Sequence, residues 1–318
     1  MKKYTDQGKK DTRSGFGAGL LEAGRNNPDI VALAADLRDS VKMGAFASEF
    51  PDRFFQCGIA EANMVGVAAG LSLTGKIPFI GSFAEFISGR VYDQVRQELS
   101  YGFTNVKIAS SHAGLTLGED GATHQTMEDI ALMRALPQMT VIVPCDYNQT
   151  RQATLAVAAM NGPVYLRFGR PAVPNFTDLD EPFEIGRIYR MTEGADVTIA
   201  ACGHLVWEAL QAAELLESRG VSAEVLNVPT IKPLDAEALV ESARKTGAVV
   251  VAEEHNMAGG LGEAVAGVLA QSCPTRMAFI NGGDRFGQSG SPSELLSAYG
   301  LDAAHIVDAA IGIIEKKR

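Results

Sequence analysis

The chain is poor in cysteine: the four present, Cys57, Cys145, Cys202 and Cys273, lie far apart and none sits in a CxxC pair. That pattern speaks against a disulfide framework or a cysteine-based zinc site, and it predicts reduced, mostly buried thiols without chemistry of their own. Long hydrophobic runs are missing too, since none approaches the ~20 residues a membrane span needs. The start "MKKYTDQGKKDTRSG" is basic but has no apolar segment after it. Neither a membrane anchor nor a secretory leader is expected, and the expected location is the cytoplasm. Positive charge is the third shortage: 28 Lys and Arg stand against 38 Asp and Glu, for a net charge of −10 and a pI near 5.1. Such a balance disfavours binding to a nucleic-acid backbone or an anionic membrane, yet a local basic pocket can still hold one phosphate or a small acidic metabolite. No internal repeat or low-complexity tract is evident.

What is present is the material of an α/β protein. With 318 residues, 46% hydrophobic and 21% charged, the chain can bury the cores of two ordinary domains. "DIVALAADL" (29–37), "KIPFIGSF" (76–83), "NVKIASSH" (105–112), "TVIVPCD" (140–146) and "PVYLRFG" (163–169) read as strands. Being continuously apolar rather than alternating, they are expected to be covered on both faces. Between them "SGFGAGLLEAGRN", "EANMVGVAAGLSLTG", "GRVYDQVRQELSYG", "MEDIALMRALPQ" and "YNQTRQATLAVAAM" have helical spacing. The alternation predicts a parallel sheet with helices on both faces. The Pro-rich, acidic stretch "RPAVPNFTDLDEPFEIG" (170–186) breaks the rhythm and reads as an exposed linker. A second, smaller α/β unit follows, with "ADVTIAACG", "LVWEALQAAELLESRG", "VSAEVLNVPT", "GAVVVAEEH" and "GGLGEAVAGVLAQ". The expected division is a first domain over 1–175, a linker over 176–190 and a second domain over 191–318.

Two features carry chemistry. Glu61, in "FFQCGIAEANMVGVAAGLSLTGKIPF", is a lone carboxylate between an apolar run and a helix of small residues. By itself it would complement the helix dipole. Beside Gly66, Ala68, Ala69 and Gly70, which let another backbone approach, it reads instead as a buried acid that needs a partner, and a heterocyclic nitrogen would serve. The second feature is "SSHAGLTLGEDGATHQTMEDIALMRALPQMTVIVPCD" (110–146), which puts His112, Glu119, Asp120 and His124 on a Gly-rich loop between a strand and a helix. In an open α/β sheet that strand end is where ligands bind. One histidine there would read as a satisfied turn residue, but two with an acid between them make a site.

Through "GEDGATHQ", "GIAEANM", "ADL", "SFAEF", "EEHNMAGGLGEAVA" and "DRFGQSGSPSELLSAYG", the chain resembles the C-terminal half of transketolases over nearly its whole length. These are thiamine-diphosphate enzymes that move two-carbon ketol units between sugar phosphates. The resemblance implies a pyrimidine-binding domain followed by a smaller transketolase C-terminal domain. It also implies that Glu61 hydrogen-bonds the cofactor's aminopyrimidine and so activates it. Phe83 and Phe86 match the aromatic wall against the pyrimidine; by composition alone both would be plain core. The family often has a third aromatic, where this chain offers Gly89 and then Tyr92. Asp36 matches an acid near the cofactor, or caps a helix. Asp120 and His124 match contacts to sugar hydroxyls, His124 having a catalytic part as well. Arg13, Ser40, His112 and Arg170 match a cluster around the sugar's terminal phosphate, where a planar guanidinium suits a bidentate grip. Arg167 competes with Arg170 for that role. In place of the family's usual Asp-Leu-Thr-x-Ser, "DLRDS" puts Arg38 and Asp39 in the wall of this anion pocket, which points to an unusual acceptor.

A full transketolase also carries an earlier diphosphate-binding domain, whose Gly-Asp-Gly motif holds Mg2+ (or Ca2+) through oxygen ligands beside the phosphates. "EDG" (119–121) and "GGD" (282–284) lack the helix and Asn that should follow, so no metal ligand is expected in this chain. The resemblance therefore implies one subunit of a split transketolase, completed by a separate N-terminal subunit in an α2β2 assembly. Two alternatives stand beside it. One is a subunit of a deoxyxylulose-phosphate synthase-like enzyme or a 2-oxoacid dehydrogenase β chain, which His112 together with the full "GEDGATHQ" disfavours. The other is a non-catalytic binding or scaffold subunit, which Glu61 with both Phe residues disfavours.

Overall fold

In the computed structural model, residues 3–315 are described; the ends of the two expected domains, 1–2 and 316–318, lie outside the described residues. Seven strands form the first sheet, in the order Thr230–Lys232, Thr140–Ile142, Val164–Arg167, Lys107–Ser111, Ile77–Phe83, Ile30–Ala34 and Phe54–Gln56. All neighbours run parallel except the first pair. Every residue of Ile30–Ala34, Lys107–Ser111 and Val164–Arg167 is buried, as expected of strands covered on both faces. The five expected strands and five expected helices form, with two differences of detail. The segment expected as one helix over 89–102 is short at Tyr92–Gln94 and widens to i→i+5 winding over Val95–Tyr101. Helix Gly44–Glu49 and strand Phe54–Gln56 carry too little periodicity to be read from sequence.

Two caps set the first helices. Asp11 accepts the Ser14 N–H at the start of Thr12–Asn26, and Asp146 accepts the Gln149 N–H at the start of Tyr147–Ala159. The two helices pack closely because Gly15 and Gly19 face the second one. A Cβ on Gly15 would lie 2.4 Å from Tyr147 O, and one on Gly19 would lie 2.7 Å from Thr154 Cβ. The i, i+4 glycines of "SGFGAG" are therefore a helix contact face, and a larger side chain at Gly19 would drive the pair apart.

The second sheet has the order Arg276–Ile280, Ala248–Ala252, Val197–Ala201, Ala223–Asn227 and Tyr189–Arg190, the last strand antiparallel. The expected strand 221–230 splits between the sheets. Val228 N–H donates to Ala201 O in the second sheet, Pro229 O accepts from Val143 N–H beside the first, and Thr230–Lys232 then extends the first sheet. The segment expected as an exposed linker is anchored at both ends. Phe176, Thr177, Phe183, Ile188 and Tyr189 are buried, and Asp146 Oδ2 accepts from both Phe176 and Thr177 N–H. The acidic middle, 178–182, is exposed, as are Glu184, Arg187 and Arg190, because charged side chains keep their water while apolar ones on either side find the two cores.

All four cysteines are free, Cys145 and Cys202 buried and the other two half-buried. Pro292–Glu315, 24 residues with a mean hydropathy of 1.2, has the length and composition of a membrane span. It is folded as two helices, Pro292–Ala298 and Ala303–Glu315, broken by Gly300 at φ +70°. The second packs Ile306, Val307, Ala310 and Ile313 into the core of the second sheet, and the apolar run is accounted for by that packing.

Candidate active site

The carboxyl ends of the parallel strands of the first sheet gather the predicted residues. Phe83 ends Ile77–Phe83, His112 follows Lys107–Ser111, Asp36 follows Ile30–Ala34, and Arg170 follows Val164–Arg167. Asp36 and His112 leave their strands with left-handed backbones, φ +62° and +59°. Non-glycine residues adopt that conformation at a cost, and they do so mainly at functional turns.

Glu61 opens helix Glu61–Leu73 and is 4% exposed. Its partner is Arg90, whose Nη1 donates to both carboxylate oxygens at 3.2 and 3.1 Å. The Arg90 guanidinium also lies over Phe86, 4.1 Å from the ring centre. Phe86 and Phe83 stack at 5.7 Å, Phe83 stacks on His112 at 3.8 Å, and His124 meets Phe86 edge-on at 5.4 Å. A flat aromatic wall thus leads from a buried carboxylate to two imidazoles. Tyr92, the sequence's offer for a third aromatic, turns away and donates to Leu132 O; Arg90 and His124 border the wall instead. Arg90 was not singled out by the sequence. Its signal is spacing alone, four residues past Phe86, where a helical chain stacks side chains.

Beyond Phe83 lies a cationic corner. Arg13, half-buried on helix Thr12–Asn26, uses Nη1 toward Ser40 O at 3.1 Å and toward His112 Nε2 at 3.4 Å. A guanidinium only donates, so His112 Nε2 is the acceptor. The ring proton then sits on Nδ1 and points to Ser111 Oγ, 2.8 Å away. Burial, reinforced by Arg13 and Arg170, pushes the pKa of His112 down to about 3, so the ring is neutral. Arg170 stands close enough to Arg13 to depress its ionisation, after burial, and is tied by Nη1 to Leu117 O at 2.8 Å and to Glu119 Oε2 at 2.9 Å. Arg13, Ser40, His112 and Arg170, from four separated segments, are therefore brought together.

The other predicted positions are less convergent. Asp36 is exposed and gives its N–H to Gln56 Oε1; it caps no helix. Asp120 is exposed on the Gly-rich loop, and half-buried His124 bonds Thr123 Oγ1 through Nδ1 at 3.0 Å. Arg38 forms a two-pronged pair with its neighbour Asp39, so this insertion adds no free charge to the wall. Arg167 is ruled out as an anion ligand for the open site. It is buried, its Nε bonds Asp129 Oδ2 at 2.8 Å and its Nη2 bonds Glu254 O at 3.0 Å. Ser110 and Tyr165 complete this network beneath the site. A cavity of about 630 Å³ walled by Tyr4, Gln149, Phe176 and Tyr189 lies apart and holds none of the predicted residues.

Comparison with known proteins fits this arrangement. The family model described as "Transketolase, pyrimidine binding domain" matches residues 8–175, and "Transketolase, C-terminal domain" matches 186–306. The "6-deoxy-6-sulfo-D-fructose transketolase subunit SqwH" of Clostridium sp. is 46% identical, over 94% of this chain and 92% of its own. A subunit of the apulose-4-phosphate transketolase of Phocaeicola vulgatus is 39% identical, over 96% of this chain and 97% of its own. A solved structure described as "Split gene transketolase, inactive beta4 tetramer" is 48% identical with a TM-score of 0.90, covering 98% of this chain and 100% of that one. The chain belongs to the transketolase family of thiamine-diphosphate-dependent transferases, as a subunit built of that family's pyrimidine-binding and C-terminal domains.

Proposed function

We propose that this chain is the C-terminal subunit of a split transketolase, transferring a two-carbon ketol unit from a ketose phosphate to an aldose phosphate or a related anionic sugar. A separate N-terminal subunit carries the diphosphate-binding domain and its Mg2+ (or Ca2+), and the working form is α2β2. The observation that carries the reading is the slot between Glu61 and Phe86. It holds a planar, N–H-bearing group, the Arg90 guanidinium, hydrogen-bonded to a buried carboxylate and lying over an aromatic face. Those are the contacts an aminopyrimidine needs, so the residues present fit thiamine diphosphate.

When bound, that cofactor supplies a carbon nucleophile and an electron sink for breaking the bond next to a ketone. This chain's part is to hold and orient. Glu61 would hydrogen-bond a pyrimidine ring nitrogen and hold a proton there. Phe83 and Phe86 would form the aromatic wall for the pyrimidine, and Asp36 stands at the neighbouring strand end. Asp120 and His124 contact sugar hydroxyls, with His124 moving a proton there. Arg13 and Arg170 supply charge for the terminal anion, while neutral His112 and Ser40 fix Arg13 in place. Two relatives are named for a sulfonated and a phosphorylated sugar respectively, which supports an anionic acceptor or donor without choosing between the groups.

The test is reconstitution. The purified chain with thiamine diphosphate and Mg2+ is expected to show no ketol transfer between sugar phosphates, and co-expression with a subunit bearing the diphosphate-binding domain is expected to restore it. Full activity of the chain alone would sink the split-subunit reading.

A further inference from the structure

Asp120 and His124 sit on a loop, 113–125, and much of what holds that loop still comes from the second domain. Glu254 follows strand Ala248–Ala252 and is 5% exposed. Its Oε1 accepts the N–H of Thr116, and its Oε2 lies 3.3 Å from His204 Nδ1. The carboxyl fills the space beside Gly114, where a Cβ would come within 2.4 Å of Glu254 Cδ. Gly114 also has φ +83°, so an L side chain is unwelcome there on both counts.

The far end of the loop is gripped by the segment after strand Arg276–Ile280. Gln125 Nε2 donates to Leu115 O and Gly118 O within the loop and to Gln288 O in the second domain. Gly287 leaves room for that side chain, since a Cβ there would lie 2.0 Å from Gln125 Oε1. Gly121 likewise lies against Ser289, whose Oγ is 2.6 Å from where its Cβ would be. The glycines of "GEDGATHQ" therefore mark a surface pressed against the second domain.

We propose that Glu254 is a positioning residue: a second-domain carboxylate that sets, through the Thr116 N–H, the loop presenting Asp120 and His124 to the sugar. The second domain is the backstop of the substrate loop. A buried carboxylate suits the task because one oxygen holds a backbone N–H in a charge-assisted bond while the rest of the group fills the space beside Gly114. This rests on the reading of Asp120 and His124 as sugar contacts.

The experiment is Glu254→Ala, with Glu254→Gln as the conservative companion, in the complex reconstituted with the diphosphate-binding subunit. Hydrogen exchange at 114–118 is expected to speed up in the Ala variant and to stay near wild type in Gln, whose amide oxygen still accepts the N–H. The KM for a sugar phosphate is expected to rise about tenfold in the Ala variant, in line with loss of one charge-assisted contact. Thiamine diphosphate affinity is expected to stay unchanged. If the Ala variant fails to fold, Gly287→Ala, which displaces Gln125 from the same loop, is expected to give the same separation of sugar KM from cofactor affinity. Unchanged exchange at 114–118 overturns the positioning role whatever the reaction. Faster exchange with unchanged sugar KM overturns the assignment of this loop to the sugar. Parallel loss of cofactor affinity makes Glu254 merely structural.

Discussion

Arg90 Nη1 bonds both oxygens of Glu61, and the same guanidinium lies 4.1 Å from the centre of Phe86. Without Arg90 the Glu61 carboxylate, 4% exposed, would have lost its ionic partner. On the proposed function, an aminopyrimidine would compete with this guanidinium for the slot. Arg90→Ala is expected to lower the melting temperature of the cofactor-free chain while tightening thiamine diphosphate binding by the complex about fivefold, the equivalent of about 1 kcal/mol for a half-exposed pair. Calorimetric titration reads it. Weaker binding by the variant would mean that Arg90 keeps its place beside the cofactor.

Glu61→Gln preserves shape but cannot share an ionisable proton. In the reconstituted complex it is expected to assemble normally and to lose ~10²–10⁴-fold in turnover, the range of general acid–base help. Steady-state rates at saturating cofactor decide this, and near-normal turnover would remove Glu61 from the activating role.

Arg170 shares its charge with Glu119, at 2.9 Å, on a half-exposed face. Arg170→Ala is expected to raise KM for an anionic sugar, at a cost of roughly 1.5 kcal/mol, or about tenfold in kcat/KM. Glu119→Gln should act in the opposite direction by releasing the guanidinium to the anion. An uncharged sugar analogue separates charge from loop geometry: equal losses on both sugars would make Arg170 a prop for Leu117 rather than an anion ligand.

His112 gives a pH signature. Its pKa falls from an ordinary 6.5 to about 3 in the fold, so between these values the unfolded chain holds a proton that the native ring refuses. Stability contributed by the neutral ring is present above pH 6.5 and is lost as pH falls, by at most ~1.4 kcal/mol per unit. Urea unfolding of wild type and His112→Gln across pH 4 to 7 should show a shallower acid decline in the variant. Matching declines would mean that the folded ring ionises freely.

Legibility followed the range of the interactions. Ile30–Ala34 announces itself because it is apolar at every position, as a strand buried on both faces allows, a local property. The caps at Asp11 and Asp146 are equally local. Glu61, Phe83 and Phe86 were singled out through motif, and the fold sets them along one wall. The burial of Arg167 was not, because an arginine after an apolar strand looks the same whether it faces a ligand or Asp129, 38 positions away in the chain.

What the sequence determined by itself was the order of elements, the two α/β units and the residue types that reach the strand ends. Periodicity and turn chemistry act over a few residues, and these features need nothing more. Tertiary structure alone decided the partners. It put Arg90 on Glu61, Arg167 on Asp129 and Glu254 on the Thr116 N–H, and it carried Thr230–Lys232 across to the first sheet. A buried charge or an unpaired backbone group must find a partner, but which partner depends on what the folded chain brings within about 3 Å, and chain separation carries no record of that distance.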